Sequence, residues 1–122
     1  MDKAITMDLG TGFVLSRESH NESLGLMLSD MFTNHTFTDV TLVCDDEIMI
    51  PAHRNILAAC SSLFEKILHS ISAHNNPVIY LKGTSSLQIK QLLQYIYQGT
   101  ISIDRSLVED FIRVANEFGV FV

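Results

Sequence analysis

Basic residues are scarce in this chain. Eight lysines and arginines face fourteen aspartates and glutamates, a formal net charge of −6 over 122 residues. That balance opposes close approach to a phosphate backbone or an anionic membrane, so no direct DNA binding and no membrane contact are expected of it. Cysteine is equally sparse. Cys44 and Cys60 lie inside apolar patterns with no CxxC spacing, which reads as two buried small hydrophobes in a reducing compartment rather than a disulfide frame. No apolar run approaches the length of a membrane span. The first fifteen residues hold one basic residue, Lys3, and are broken by Asp2 and Asp8, so neither a signal peptide nor a transit peptide is expected.

Signatures of catalysis and metal binding are missing too. His20, His35, His69 and His74 have no ligand spacing with one another or with the cysteines. The stretch "ACSS" is no nucleophile elbow, no glycine-rich phosphate loop occurs, and no paired carboxylates mark a pocket. Neither an enzyme nor a cofactor is expected.

What is present is apolar patterning. With 47% hydrophobic and 18% charged residues, and no internal repeat, low-complexity tract or linker, the chain fits one domain with a real core. Residues 1–11 read as flexible and residues 12–122 as the domain. Phe13-Val14-Leu15 suggests a short strand, and Ser19-x-x-Glu22 a capping box opening a helix over 21–34. That helix carries Leu24, Leu26, Met27, Leu28, Met31 and Phe32, an apolar surface too wide for one neighbour. Val40, Leu42 and Cys44, then a turn at Asp45-Asp46, then Glu47 to Ile50, read as a β-hairpin that Pro51 ends.

Two helices follow, one packing Ile56, Leu57 and Cys60, the other Leu63, Phe64, Ile67, Leu68 and Ile71 behind a Ser62-x-x-Glu65 cap. A strand over Val78 to Leu81 leads to a helix from Ser86 to Gln98, with Leu87, Leu92, Leu93 and Ile96 inward and Gly99 as its stop. Of Tyr95 and Tyr97 in that helix, one ring is expected in the core and the other on a contact surface. Ile101-Ser102-Ile103 suggests another strand, and Ser106-x-x-Glu109 opens a last helix that Gly119 ends. The fold class is α+β, a small sheet flanked by about five helices.

Four blocks carry a family resemblance: "FTDVTLVCDDEIMIPAHRNILAACSSLFEKIL", "PVIYLKG", "LLQYIYQGTISI" and "FIRVANEFGV". In order and spacing they resemble a BTB/POZ domain across about Leu24 to Gly119. The preceding "GFVLSRESHNESL" is similar to the lead-in of arthropod Tramtrack-type BTB domains at Phe13, Leu15 and His20. It departs from that pattern where Ser16-Arg17-Glu18-Ser19 replaces the usual Arg-Trp-Asn-Asn.

The resemblance implies a homodimer or a larger oligomer of a nuclear transcription or chromatin-architecture factor whose DNA-binding part, often zinc fingers, would lie beyond Val122. Other BTB or co-regulator proteins are the implied partners. It places Phe13, Leu15, Leu24, Leu26, Met27 and Met31 at the dimer interface. Asp39 and Arg54 would form a charged pocket near the dimer floor. From the residues alone, Asp39 either seeks that cation or caps a neighbouring element beside a solvated Arg54, and His53 is a fold-specific, hydrogen-bonded residue opening a helix. The alternative role is a substrate adaptor of a cullin-based ubiquitin ligase. Adaptors usually carry an apolar-x-Glu element in the loop that here reads "HSISAHNNP", which has no glutamate.

Overall fold

The computed structural model describes residues 4–121. The chain runs β1 (Ala4–Asp8), β2 (Phe13–Arg17), α1 (His20–Asn34), β3 (Val40–Cys44), β4 (Met49–Ala52), α2 (Arg54–Cys60), α3 (Ser62–Ser70), β5 (Val78–Leu81), α4 (Ser86–Gln98), a 3-10 turn (Arg105–Leu107) and α5 (Val108–Glu117). The strands form two sheets. One is the antiparallel β1–β2 hairpin, and the other has the order β4-β3-β5 with β3 and β5 parallel. A parallel pair needs a long crossover, and α2 with α3 supplies it.

The core lies between the inner face of the three-stranded sheet and the helices. Val40, Leu42 and Cys44 alternate inward from β3 and meet Leu57, Phe64, Ile89, Leu92, Leu93 and Phe111. Each large side chain so buried contributes about 1.5–3 kcal/mol. In α5, Phe111, Val114 and Ala115, with Phe118 just after it, recur at helical spacing and are all buried, so that helix lies along the core.

Its end is stapled to α3. The Phe118 and Gly119 carbonyls accept from the Leu63 and Ser62 backbone N–H groups, while Ser61 Oγ donates to Phe118 O. Gly119 has φ 68°, and a Cβ there would overlap Ser62 Oγ, so glycine is required on both counts.

Several expectations are corrected. Residues 4–8 are not loose but pair with β2, Ile5 opposite Ser16 and Met7 opposite Val14, through a turn in which Leu9 N–H bonds Gly12 O. The remainder of the expected loose start, residues 1–3, lies outside the described residues. The period-2 apolar pattern Ile5, Met7, Leu9 followed by Gly10 and Gly12 was the available signal. Ser19 forms no side-chain cap and sits at φ 56°, because the chain turns sharply from β2 into α1.

The cap of α3 is Ser61, whose extended backbone aims its hydroxyl at Phe64 N. Asp104, accepting from Ser106 N–H, caps the turn before α5 in place of a Ser106 box. Pro51 lies within β4 rather than ending it, Leu87 is exposed where Ile89 is buried, and Cys60 is exposed. Among the described residues, 101–103 join no sheet.

Candidate interaction surface

None of residues 4–37 is buried, although many are apolar. The β1–β2 hairpin is exposed on both faces: Ile5, Met7 and Val14 line one, Phe13 and Leu15 the other, the last two each 69% exposed. Helix α1 packs along α4 and buries no residue. Leu26 is 73% exposed, Leu24 and Met27 are exposed, and Met31 is half-buried. Phe37, at φ 60°, holds its ring almost wholly in solvent. Residues expected at an interface thus share one exposed end of the chain, and Ile5 and Met7 of β1 join them unforeseen.

Large apolar side chains exposed in such number mark an interaction site more often than a free surface. A two-stranded hairpin is also marginal on its own in water. Residues 101–103 present the complementary need. Ile101 and Ile103 are half-buried and Ser102 is exposed, the alternation of a strand. Among the described residues, none of their backbone groups pairs with another backbone group.

Below this surface, three elements converge on His53. It is 3% exposed and stands as N-cap of α2. The Tyr97 hydroxyl accepts from His53 N–H at 2.9 Å and lies 2.7 Å from Nδ1, while Nε2 lies 2.6 Å from the Thr36 carbonyl. A carbonyl only accepts, so Nε2 carries the proton, Nδ1 accepts, and the Tyr97 hydroxyl donates to it. Burial pushes the Tyr97 hydroxyl up to about 12, against the opposing pull of the His53 N–H bond. Phe32 of α1 packs on the same ring at 5.1 Å. Tyr95, the half-buried partner of the pair, meets Phe111 edge-on.

Asp39 and Arg54 lie side by side, in an arrangement that combines a helix cap with an ion pair. One Asp39 oxygen accepts from Arg54 backbone N–H at 2.8 Å, satisfying the first turn of α2, and the other accepts from Arg54 Nε at 3.1 Å. Arg54 Nη1 then donates to His74 O. Cap and ion pair are one arrangement. Within the chain it remains partly open, with the two side chains 30% and 42% exposed for Arg54 and Asp39.

Among the described residues no group of three or more His, Cys, Asp or Glu side chains gathers as a metal site, and no helix is long and apolar enough to cross a membrane. What the surface offers is apolar contact and strand pairing, the chemistry of protein recognition.

Relatives agree with that chemistry. The chain is 32% identical over 108 residues to the sex determination protein fruitless and 31% identical over 108 residues to protein tramtrack, alpha isoform, both of Drosophila melanogaster. Each match covers 88% of this chain but only 11% and 13% of those proteins, so the chain spans about an eighth or less of their length. Among solved structures, the BTB (Tramtrack and Bric a brac) domain of human gigaxonin superposes with a TM-score of 0.73 at 28% identity, over 88% of this chain and 86% of that one. The model of the BTB/POZ domain matches residues 28–121, and the chain belongs to this family of protein-interaction domains.

Proposed function

We propose that the chain is the self-associating domain of a nuclear gene-regulatory protein, pairing with a second copy of itself through the hairpin, α1 and residues 101–103. The observation that carries this reading is the absence of any buried residue from 4 to 37 in a segment holding Ile5, Met7, Phe13, Leu15, Leu24, Leu26 and Met27. Exchange of β2 onto residues 101–103 of the other copy would satisfy both open backbones at once. The outer edge of β1 would then remain free, a route to assemblies larger than a dimer. The regulatory role rests on relatives whose names include a sex determination protein and, at 29% identity, the zinc finger protein chinmo. Contact with DNA would fall to other parts of the polypeptide, since the acidic balance of these residues opposes it.

Light scattering coupled to size exclusion tests the reading. The chain should elute as a dimer or larger at micromolar concentration, and Leu26→Asp should release a folded monomer, because Leu26 already faces solvent within one chain. A monodisperse, folded wild-type monomer would overturn it. A wild-type dimer that Leu26→Asp leaves intact would move the interface off α1.

A further inference from the structure

Away from the hairpin, at the C-terminal end of α1, a groove of about 460 Å³ runs along the open edge of β4. Phe32, Thr33 and His35 at the end of α1, Lys90 and Gln94 of α4, and Ile48 to Pro51 line it. The edge polarity follows from the pairing. Thr41 N–H bonds Pro77 O towards β5, and Cys44 N–H bonds Ile48 O towards β4, so odd-numbered β3 residues face β5 and even-numbered ones face β4. The β4 residues opposite Val43 and Thr41, namely Met49 and Pro51, therefore turn their backbone groups away from β3, to the open edge that borders the groove. Met49 offers an N–H and a carbonyl, and Pro51 a carbonyl alone.

The lining holds no carboxylate, in a chain whose acids outnumber its bases fourteen to eight. Three other hollows among the described residues each include one: Asp110, Glu65 or Glu22. Lys90 makes no ion pair among the described residues, and Met49 is 69% exposed. The nearby Asp46 is turned to the α4 N-terminus, where it accepts from Ser86 N–H and Oγ–H.

We infer that this groove takes an extended segment of a partner protein that alternates apolar and acidic residues. The segment pairs with Met49 as a short added strand. Its apolar side chains lie against Phe32 and Ile48, and a carboxylate meets Lys90. Strand addition at an open edge supplies main-chain affinity, alternate side chains supply selectivity, and the uncompensated lysine sets the preferred charge. The missing N–H of Pro51 limits the added ladder to a few bonds, which suits a transient partner rather than a permanent subunit. The lining includes no residue of the β1–β2 hairpin, and the occupant is a partner other than a second copy of the chain.

The test uses the isotopically labelled 122-residue chain, followed by amide NMR. An eight-residue peptide alternating Leu and Asp is titrated in, and a matched peptide with Lys in place of Asp is its control. The Leu-Asp peptide should shift the amides of Ile48, Met49, Lys90 and Gln94, and the Leu-Lys peptide should bind about tenfold more weakly. Lys90→Glu should lose about tenfold for the acidic peptide. Met49→Pro, which removes the one N–H facing the groove, should weaken both peptides, with the Leu42 and Ile50 amides unchanged as the check that β3–β4 survives. Should that variant unfold, Lys90→Glu alone decides. The inference is overturned if neither peptide shifts these amides at about 1 mM, or if the two bind equally. It is also overturned if the same amides shift on dilution without peptide, which would make the occupant a second copy of the chain.

Discussion

The Tyr97 hydroxyl bonds both the backbone N–H and the Nδ1 of His53, joining α4 to the start of α2, while the far side of the same imidazole holds the Thr36 carbonyl beneath α1. Removing the hydroxyl by Tyr97→Phe leaves a buried donor and a buried acceptor unmatched. We expect a loss of about 1–3 kcal/mol in denaturant unfolding. A loss near zero would mean that water replaces the hydroxyl.

The same group sets an alkaline limit. Its folded value of about 12 stands above the ordinary 10.0, so the unfolded chain ionises first. Stability is fully present below pH 10 and falls as pH rises from 10 towards 12, by about 1.4 kcal/mol per pH unit from this group. Stability measured across that interval should fall more steeply for the wild type than for Tyr97→Phe. Parallel curves would count against it.

Asp39 separates its two duties by substitution. Asparagine keeps an oxygen for the Arg54 N–H but loses the charge, and with both side chains partly exposed we expect a cost below about 1 kcal/mol. Alanine also removes the cap, for about 1–2 kcal/mol in total. If Asp39→Asn instead costs about 3 kcal/mol, the assembled protein desolvates the pair. Denaturant midpoints of the three proteins read the difference.

On the acid side, Asp46 is held below its ordinary value, first by its hydrogen bond from the Ser86 side chain. A lowered folded value contributes stability that is present above pH 3.8 and lost as pH falls through the folded value. Asp46→Asn should therefore flatten the acid limb of the stability curve while leaving the alkaline limb unchanged. An unaltered acid limb would remove Asp46 from the set of groups that govern it.

At the end of α5, Gly119→Ala must accept both a left-handed backbone and an overlap with Ser62 Oγ. A loss of about 2–4 kcal/mol is expected, with partial recovery when Ser62→Gly is added. Thermal melts of the single and double variants test this, and an additive result would leave only the backbone conformation as the cause.

Periodicity carried the strand β3, the helices α3 and α4, the αL stop at Gly99 and the apolar face of α5, because each is set by neighbours within a few residues. Features decided at long range were less legible. His53 and Tyr97 lie 44 residues apart, and no local pattern links them. Ile101 to Ile103 alternates like a strand, but strand assignment requires a neighbour, and none of the described residues pairs with it. Pro51 reads as a terminator unless its missing N–H is known to face an open edge. Asp39 looked like a choice between cap and ion pair, and the hairpin geometry lets one carboxylate do both.

The division of the chain at Asp39 has a kinetic consequence. Among the described residues every buried one lies from Val40 onward, so refolding should begin with a phase set by residues 40–120 and independent of protein concentration. If the chain pairs with a second copy as proposed, ordering of the hairpin against that copy would form a later, second-order phase that slows on dilution. During that interval the apolar side chains of residues 5–27 stand in water on an otherwise folded body. The time spent in that state, more than the stability of the core, would set how readily the protein is lost to aggregation at low concentration of its own kind.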